Sequence, residues 1–382
     1  MRNFYPEQYR VTGQYPINHN YLPQQFADYE EIWSRVKKVI QDGDFTLGAA
    51  VDKFERDFAS YNDGLYGIGV GSGTDALFLS LKVLGIGEGD EVITTPFTFY
   101  ATVGAIVTAG AKPVFVDAGD DFNINADLIE AAITPNTKAI MPVHWAGLPC
   151  DMERINGIAN KHDIKVVADA CHGIGATLNG KGMAQFSELT CFSMHPLKNL
   201  NVWGDGGIIV TNNKELATRL ALIRNHGLVG RDTCEVFAYN SRLDTVQAVV
   251  AQYLLDNKIR NITEKRQQHA DWLDQELAGM PQIQFAQRNP NKRSVYHLYM
   301  GLFECRDELI AHLQGQGIDA KIHYPTPMHL QPAANFLGHK KGDFPMAEKF
   351  GANCMSLPVH EFITQEQLQF MVSSIKAFYG EQ

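Results

Sequence analysis

The stretch Cys191-Phe-Ser-Met-His-Pro-Leu-Lys-Asn-Leu-Asn-Val-Trp-Gly-Asp-Gly-Gly207 joins two apolar runs through a segment rich in Pro, Asn and Gly. Lys198 lies in this segment, shortly after the first run. A lysine that is removed from water loses charge more readily and becomes a nucleophile. Most lysines are solvated surface groups, and spacing alone leaves that alternative open. No second metal-ligating side chain recurs near His195 at ligand spacing, so packing or a substrate contact is its favoured role and no metal site is predicted.

A carboxylate ends the preceding apolar run, in Val166-Val-Ala-Asp-Ala-Cys-His172. Asp169 follows buried-type residues, where a charge is costly unless it has a partner. A cationic ring nitrogen of a cofactor is one such partner. A helix N-cap is the alternative role on this segment alone.

A glycine-rich turn lies about 95 residues before Asp169, in Gly69-Val-Gly-Ser-Gly-Thr-Asp75. Glycines after a strand let the backbone approach an anion, and the N-terminus of the following helix offers free N–H groups to a phosphate. The spacing is neither that of a P-loop nor that of a dinucleotide fingerprint. The turn is therefore a candidate phosphate site, with a plain tight turn as the alternative.

Short apolar runs alternate with helical patterns over the first half of the chain, which predicts an α/β fold with a mainly parallel seven-stranded sheet covered by helices on both faces. The three candidate sites fall at strand ends, where open α/β sheets bind ligands. The strand candidates are Gly67–Gly71, Glu91–Thr95, Pro113–Asp117, Ala139–Val143, Lys165–Asp169, Leu189–Ser193 and Gly207–Thr211.

The pattern changes after about residue 250, where one long helix is predicted over roughly Leu243–Leu277. Shorter strand and helix signals follow it, which indicates a smaller α+β unit. We therefore expect an extended N-terminal arm over residues 1–25, a large domain over 26–255 and a small C-terminal domain over 256–382.

Composition narrows the class of protein. The net charge of −10 argues against a nucleic-acid binder, although an acidic protein can still hold a local basic pocket. The six cysteines are scattered without a Cys-x-x-Cys pair, which is typical of a reduced cytosolic set. Neither a signal peptide nor an apolar run of membrane-spanning length is evident, so we expect a cytoplasmic protein without membrane contact.

The order of the three sites resembles that of fold-type I enzymes dependent on pyridoxal 5′-phosphate (PLP). More specifically, nearly the whole chain resembles the DegT/DnrJ/EryC1/StrS family of sugar aminotransferases. The segments that carry this resemblance are Phe45–Gly48, Phe54-Glu55, Gly71–Leu77, Gly89–Ile93, Pro142–His144, Asp169-Ala170, Ser193, Lys198-Asn199, Gly204-Asp205, Arg224–Gly227, Tyr239–Arg242, His323–Pro325, His329–Pro332 and Gly342–Pro345.

The resemblance implies a role for each candidate residue. It implies that Lys198 forms the Schiff base with PLP and relays a proton, and that Asp169 pairs with the pyridinium nitrogen. The other implied cofactor contacts are Gly73, Thr74 and Ser193 at the phosphate, Phe99 stacked on the ring, His172 near the hydroxyl, and Asn240 reaching the phosphate of the neighbouring subunit. The candidate substrate contacts are His195, Arg224, Arg242, Tyr324 and His329. A core role for Phe99, turn roles for Ser193 and Asn240, and surface roles for the substrate set stay open.

The implied reaction moves an amino group from an amino acid, commonly L-glutamate, to a keto or aldehyde sugar. A nucleotide-linked ketosugar of cell-surface polysaccharide or deoxyaminosugar synthesis is the favoured acceptor, and a homodimer with a shared active site is the implied assembly.

Three departures from the family pattern leave the acceptor open. The chain has His144-Trp-Ala-Gly147 where relatives read His-Leu-Tyr-Gly, Ala168 where an acidic residue is common, and His195-Pro-Leu in place of Tyr-Pro-Thr. An aminotransferase forming an 8-amino-3,8-dideoxy-octulosonate is therefore an alternative. A PLP-dependent sugar dehydratase would carry His in place of Lys198, and a non-catalytic sensor would be expected to lack Lys198 or Asp169.

Overall fold

The computed structural model describes residues 15–380. Its strands, numbered in chain order, are β1 (Tyr66–Val70), β2 (Glu91–Thr94), β3 (Lys112–Phe115), β4 (Thr137–Ile140), β5 (Lys165–Asp169), β6 (Thr177–Leu178), β7 (Lys181–Gly182), β8 (Leu189–Ser193), β9 (Gly207–Thr211), β10 (Ile283–Phe285), β11 (Lys292–Arg293), β12 (Tyr299–Phe303) and β13 (Cys354–Leu357). Its α-helices are α1 (Leu22–Gln25), α2 (Tyr29–Asp42), α3 (Ala49–Tyr61), α4 (Gly73–Val83), α5 (Tyr100–Thr108), α6 (Ala126–Ile129), α7 (Met152–His162), α8 (Lys214–Ile223), α9 (Thr245–Asn257), α10 (Ile259–Glu276), α11 (Arg306–Gly315), α12 (Pro345–Asn353) and α13 (Gln365–Tyr379).

Seven strands form one large sheet in the order β1-β9-β8-β5-β4-β2-β3. The strands from β8 to β3 pair in parallel, whereas β9 runs antiparallel to both β1 and β8. The predicted fold class, α/β with a mainly parallel seven-stranded sheet, is confirmed. The seven predicted strand positions agree with the observed ones to within a few residues because the strands are short, mainly apolar runs in which most residues are buried.

Alternate residues of the central strands pack on opposite helix layers. Phe192 and Ile208 share one apolar cluster with Phe58 of α3 and residues of α9, whereas Cys191 and Ile209 lie in the cluster that contains α4. The strand period of two sends successive side chains to opposite faces, so each face needs its own helix layer.

The register of β9 brings the glycine-rich turn next to the strand that precedes Lys198. Gly207 pairs with Val70 on one side and with Ser193 on the other. A Cβ atom on Gly207 would lie 2.2 Å from the carbonyl oxygen of Ser72, so only glycine fits at this crossing. The ends of β1 and β8 are thereby held on either side of the start of β9.

A second sheet, antiparallel in the order β10-β12-β13, forms beyond the large one and packs with α11 and α13. The long helix predicted over 243–277 is wrong in one respect, because the chain bends at Lys258 and divides into α9 and α10. Helix α9 packs with the large sheet, whereas the far half of α10 contributes Ala270 and Leu273 to the core of the second sheet. We propose this bend as the division between domains 26–255 and 256–382.

The N-terminal arm predicted over residues 1–25 is only partly described, since residues 1–14 lie outside the described range. Ile17 forms a parallel bridge with Ile318, which agrees with an extended segment. The last four residues differ from the prediction, because Leu22–Gln25 form the helical turn α1, with Pro23 within its first two positions.

Within residues 15–380, no helix is both long enough and apolar enough to cross a bilayer. The same range holds no group of three or more His, Cys, Asp or Glu side chains arranged to hold a metal ion. The six cysteines are all free thiols.

Candidate active site

A cavity of about 940 Å³ opens at the edge of the large sheet where β5 and β8 end. Residues of both sheets and of the N-terminal segment line it. The sequence-predicted residues that line it are Gly73, Thr74, Phe99, Asp169, His172, Ser193, His195, Lys198 and Tyr324. These residues are separated by up to 250 positions in the sequence, and the strand order brings them together.

Two donors hold the carboxylate of Asp169, which is buried at the end of β5. The hydroxyl of Thr102 donates to Oδ2 over 2.7 Å, and the backbone N–H of Cys171 donates to Oδ1 over 3.1 Å. The hydroxyl of Thr98 lies 2.7 Å from that of Thr102. Because the hydroxyl of Thr102 already donates its hydrogen to Asp169, the hydroxyl of Thr98 must donate to that of Thr102. A hydrogen-bonded chain of two threonines therefore fixes the carboxylate in one orientation.

Lys198 lies half-buried across the cavity floor from this carboxylate. Burial lowers the pKa of Lys198, and the nearby Cys171 and Asp169 oppose that shift. The amine is therefore easier to deprotonate than a surface lysine and is suited to act as a nucleophile or a proton carrier.

The buried side-chain amide of Asn201 stabilises the loop that carries Lys198. Its Nδ2 atom donates to the carbonyl of Lys198 (2.9 Å), to the carbonyl of Pro196 (2.8 Å) and to Oε1 of Gln25 (2.7 Å). These bonds fix the backbone on which the lysine is mounted, and they connect it to α1.

A group of unpartnered donors suited to a phosphate lies at the N-terminus of α4. The first amides of a helix have no intrahelical acceptor, and the side chain of Ser72 caps α4 by accepting from one of them, the N–H of Asp75, over 3.1 Å. Ser193 ends β8 beside them, and a Cβ atom on Gly73 would lie 2.6 Å from that of Ser193. The absence of a side chain at Gly73 therefore gives close access to the backbone, as an anion site requires.

Aromatic rings line one wall of the cavity. Phe99 keeps 39% of its surface exposed and lies 5.6 Å from the ring of Tyr324. Trp145 is buried behind them, with its ring 5.7 Å from Tyr324 and 5.0 Å from His172. An exposed aromatic face inside a cavity is a surface on which a flat ligand can stack.

Histidines form the part of the lining next to Trp145. The ring of His172 lies 4.2 Å from that of His297, whose Nδ1 lies 3.4 Å from Oδ1 of Asn199. Burial lowers the pKa of both rings, and the charge of Lys198 adds to that effect. The pKa of His195 is lowered for the same two reasons, and its Nδ1 accepts from the N–H of Leu197. Neutral imidazoles therefore face the cavity.

The structure places Arg224 away from the cavity lining, although it was predicted to contact the substrate. Its guanidinium is buried, where it forms an ion pair with Glu55 and donates to the carbonyl of Gly69 over 2.8 Å. These partners lie more than 150 residues away in sequence, so the surroundings of Arg224 could not be inferred from its own motif.

Two other predicted substrate contacts also lie away from the cavity lining. The side chain of His329 is buried against Glu348, with 3.1 Å between Nε2 and Oε1. Arg242 donates to Oδ1 of Asn225 over 3.0 Å. Both side chains already have partners within their own chain, which accounts for their positions.

Asn240 lies on the surface and does not line the cavity of its own chain. Its neighbour Ser241 accepts from the N–H of Gly71 (3.0 Å) and donates to Oδ2 of Asp75 (2.8 Å). The segment is thereby anchored to the glycine-rich turn, with Asn240 pointing to the exterior side of it.

Several residues in or behind the cavity lining escaped the sequence analysis. Thr98 lines the cavity and Thr102 lies buried behind it in α5, and nothing local reveals that the target of Thr102 is Asp169. His297 and His323 line the cavity from the second half of the chain. His323 belongs to a segment that carried the family resemblance, and that was the one available signal.

Residues 27–376 match the model of the DegT/DnrJ/EryC1/StrS aminotransferase family. The chain belongs to this family. The predicted family and the predicted enzyme class, a sugar aminotransferase, are both confirmed.

Curated relatives cover nearly the full length of the chain. It is 42% identical to the "Pleiotropic regulatory protein" of Geobacillus stearothermophilus over 353 residues, which is 91% of this chain and 94% of that one. It is 38% identical to UDP-N-acetyl-3-dehydro-alpha-D-glucosamine 3-aminotransferase of Acidithiobacillus ferrooxidans over 348 residues, which is 91% of this chain and 93% of that one.

Solved structures of this aminotransferase family share the fold. DesV of S. venezuelae, crystallised in complex with a ketimine intermediate, superposes with a TM-score of 0.93 at 35% identity over 96% of this chain and 99% of that one. The PLP form of a sugar aminotransferase from Streptococcus pneumoniae superposes with a TM-score of 0.85 at 29% identity over 91% of this chain and 95% of that one.

Proposed function

We propose that the protein is a PLP-dependent aminotransferase that moves an amino group from an amino acid, L-glutamate, to a keto or aldehyde sugar. The observation that carries this proposal is the convergence of Lys198 and the hydrogen-bonded Asp169 in one cavity with the N-terminus of α4. An amine, a fixed carboxylate and an anion site are the three groups that PLP requires. The residues present therefore fit the cofactor.

PLP, when bound, supplies the carbonyl carbon that takes up the amino group from the donor and the ring that withdraws electrons during the exchange. Lys198 would hold PLP covalently through Nζ, and after its release the same atom would carry the proton between the substrate carbon and the cofactor carbon in each half-reaction. Its lowered pKa serves both tasks, because only the neutral amine attacks a carbonyl or accepts a proton.

Asp169 would pair with the protonated ring nitrogen of PLP and keep it charged. Gly73, Thr74 and Ser193 would hold the phosphate through the amides of α4 and two hydroxyl groups. Phe99 would stack on the ring from the aromatic wall, and His172 would approach the ring hydroxyl.

A nucleotide-linked ketosugar is the acceptor we propose. The name of the A. ferrooxidans relative specifies a UDP-linked sugar, which supports this choice. The octulosonate alternative finds no such support in the comparisons, and the presence of Lys198 argues against the dehydratase and sensor alternatives. We place the enzyme in the cytoplasm, in the synthesis of cell-surface polysaccharide or lipopolysaccharide.

We also propose a homodimer in which the partner completes each active site. The loop before Asn240 exposes several large apolar side chains, and Phe237 is 98% accessible. Apolar surface of this kind supports coverage by a second chain. Asn240 is exposed and does not line the cavity of its own chain, which supports a contact with the partner's cofactor phosphate.

Absorbance spectroscopy tests the proposed function directly. The purified protein with PLP is expected to absorb near roughly 410–430 nm, and L-glutamate is expected to shift the band towards roughly 330 nm. The loaded enzyme is then mixed with UDP- and dTDP-linked 3-keto sugars and with the 8-oxo octulosonate, and return of the visible band identifies the acceptor. The proposal is contradicted if the protein binds no PLP, or if no sugar restores the visible band of the enzyme that has reacted with L-glutamate.

Thr102→Val is expected to weaken PLP binding roughly tenfold and to lower kcat by about one order of magnitude, because Oδ2 of Asp169 loses a buried donor. Fluorescence titration of the apoenzyme with PLP measures the affinity. Thr102→Ser keeps the hydroxyl and is the matched control, with values expected within about twofold of wild type. Equal losses in both variants would assign the effect to packing and not to the hydrogen bond.

Asn240→Asp is expected to place a negative charge beside the partner's cofactor phosphate and to inactivate the homodimer. Mixing it with inactive Lys198→Ala, under conditions that exchange subunits, is expected to restore about one quarter of wild-type activity, since half of the dimers are then mixed and each has one intact site. The homodimers alone are the controls. No recovery in verified mixed dimers means that Asn240 serves its own chain.

A further inference from the structure

One wall of the cavity comes from the short N-terminal segment Tyr15–Tyr21, which belongs to neither sheet. Five of its residues line the cavity, namely Tyr15, Asn18, His19, Asn20 and Tyr21. Lys198 and Asp169 line the same cavity from the edge of the large sheet. The cavity therefore has a wall that is separate from the residues proposed to hold PLP.

Backbone bonds hold this segment in place. The N–H of Ile17 donates to the carbonyl of Gly317 over 3.1 Å, and the N–H of Asp319 donates back to the carbonyl of Ile17 over 2.9 Å. Ring Nε2 of His360 bonds to the carbonyl of Asn18 over 2.9 Å. An N-terminal stretch anchored in this way presents its side chains at defined positions.

The end of the segment is fixed by a buried cluster. Tyr21 stacks on His360 with 4.6 Å between ring centroids, and its hydroxyl accepts from Nη2 of Arg266 over 2.5 Å. Arg266 also donates to the carbonyl of Tyr296 over 3.0 Å. The polar groups of Tyr21 and Arg266 are therefore used to fix the end of the segment. The middle of the segment, residues 18–20, lines the cavity and can contact a ligand.

His19 lies in that middle part, and its environment differs from that of a structural histidine. Its backbone N–H donates to Oδ2 of Asp319 over 3.0 Å, and its ring lies 5.6 Å from that of His323. Ring Nδ1 is shielded from water and has no hydrogen-bond partner among residues 15–380. Because a water molecule cannot reach Nδ1, the part of the ring that can meet a ligand is its remaining edge, which lines the cavity.

The neutral state of this ring limits what it can recognise. Burial lowers the pKa of His19 to about 3, and the charges of Lys321 and Arg266 act in the same direction. The ring is therefore uncharged near neutral pH and offers one donor and one acceptor. Such a group suits a hydroxyl or carbonyl oxygen better than it suits a phosphate or carboxylate.

The cavity is large enough for the two substrates to contact different walls. At about 940 Å³ it lies at the upper end of the range for small-molecule sites, roughly 300–1,000 Å³, and an amino acid beside the cofactor fills only a fraction of it. The larger sugar reaches walls that the amino donor does not need.

We propose that the segment Tyr15–Tyr21 is the wall that recognises the acceptor sugar, and that His19 is its specificity-determining residue through a hydrogen bond to a sugar hydroxyl or carbonyl oxygen. This inference rests on the proposed function. It assigns part of the acceptor site to a stretch of chain more than 140 residues from the nearest residue proposed to act on PLP chemically.

The test separates the two half-reactions of His19→Ala by stopped-flow absorbance. The half-reaction with L-glutamate is expected to stay within about twofold of wild type, whereas kcat/KM for the acceptor is expected to fall roughly tenfold, mainly through KM. The acceptor used is the one that the wild-type enzyme turns over fastest among the UDP- and dTDP-linked 3-keto sugars and the 8-oxo octulosonate. His19→Asn retains a hydrogen-bonding side chain and is expected to recover part of the loss.

His162→Ala, a histidine at the end of α7 outside the cavity lining, is the matched control and is expected to match wild type in both half-reactions. Equal losses of His19→Ala in both half-reactions would show that the segment only supports the fold, and no loss in either would show that His19 meets no ligand. Both outcomes overturn the inference while leaving the aminotransferase intact. A wild-type protein that reacts with glutamate but with no sugar overturns the proposed acceptor class, and the inference fails with it.

Discussion

Lys198→Ala is expected to lower kcat by roughly four orders of magnitude or more and to remove the visible band of the covalently held cofactor. Two functions are lost together, because Nζ would be both the covalent attachment point and the proton carrier, and each alone is worth about 10²–10⁴-fold or more. Steady-state assays with L-glutamate measure the first effect. Spectra recorded at saturating PLP measure the second.

A chemical experiment locates the attachment point independently of activity. Borohydride reduction of the wild-type protein with PLP, followed by peptide mass spectrometry, is expected to find the added mass on the peptide that contains Lys198. Lys181→Ala removes an exposed lysine in β7 and serves as the control, with the spectrum and rate of wild type expected. Label found on a different lysine, or a visible band that persists in Lys198→Ala, contradicts the assignment.

Asp169→Ala is expected to lower kcat by about three orders of magnitude and to weaken PLP binding. Without a carboxylate opposite the ring nitrogen, the positive charge that makes the cofactor ring an electron sink is no longer stabilised. Removing the side chain also leaves the hydroxyl of Thr102 without its buried acceptor. Single-turnover rates with L-glutamate and PLP titrations measure the two losses separately.

Asp169→Asn distinguishes charge from shape at the same position. It keeps the size of the side chain, but its one carbonyl oxygen can accept from Thr102 or from the N–H of Cys171 and not from both, so PLP binding is expected to weaken less than in Asp169→Ala, whereas the rate is expected to stay low. Asp163→Asn is the matched control, because this surface residue ends α7 in the left-handed conformation that asparagine also adopts. A rate for Asp169→Asn close to that of wild type would exclude the charge as the important property.

Strand positions and fold class were predictable because the large sheet is buried on both faces. Runs such as Val166–Ala168 and Ile208–Val210 are continuously apolar and end at turn residues, and that pattern is local. The antiparallel direction of β9 was not predictable in the same way, since a strand buried on both faces reads identically in either direction. The bend at Lys258 was missed because apolar spacing continues through both helices.

The candidate site divides in the same way into local and non-local parts. Asp169, Ser193 and the glycine-rich turn follow strands directly, so sequence alone places them at one edge of the sheet. Arg224 and His329 were placed with the substrate set because their motifs resemble those of the family, yet their partners Glu55 and Glu348 decide where they lie. No spacing rule relates an arginine to a glutamate 169 residues away.

His19 is a residue that lines the cavity although nothing in the sequence predicted it. It stands in a segment of Pro, Asn and Tyr residues without periodicity, which gives no reason to connect it to the sheet edge. Its neighbours in space are Asp319 and His323, both about 300 residues later in the chain. Only closure of the second sheet against the N-terminal segment makes it part of the cavity.

The bonds from Asn201 to Gln25 and to the carbonyl of Lys198 have a consequence for evolution of this enzyme in the laboratory. The helical turn α1 supports the loop of the reactive lysine, while the segment just before it lines the cavity. Random libraries confined to residues 15–20 would therefore sample new substrates with the reaction chemistry intact, whereas changes that extend to Gln25 would alter both at once. A selection for new acceptors would gain from stopping the library short of that helix.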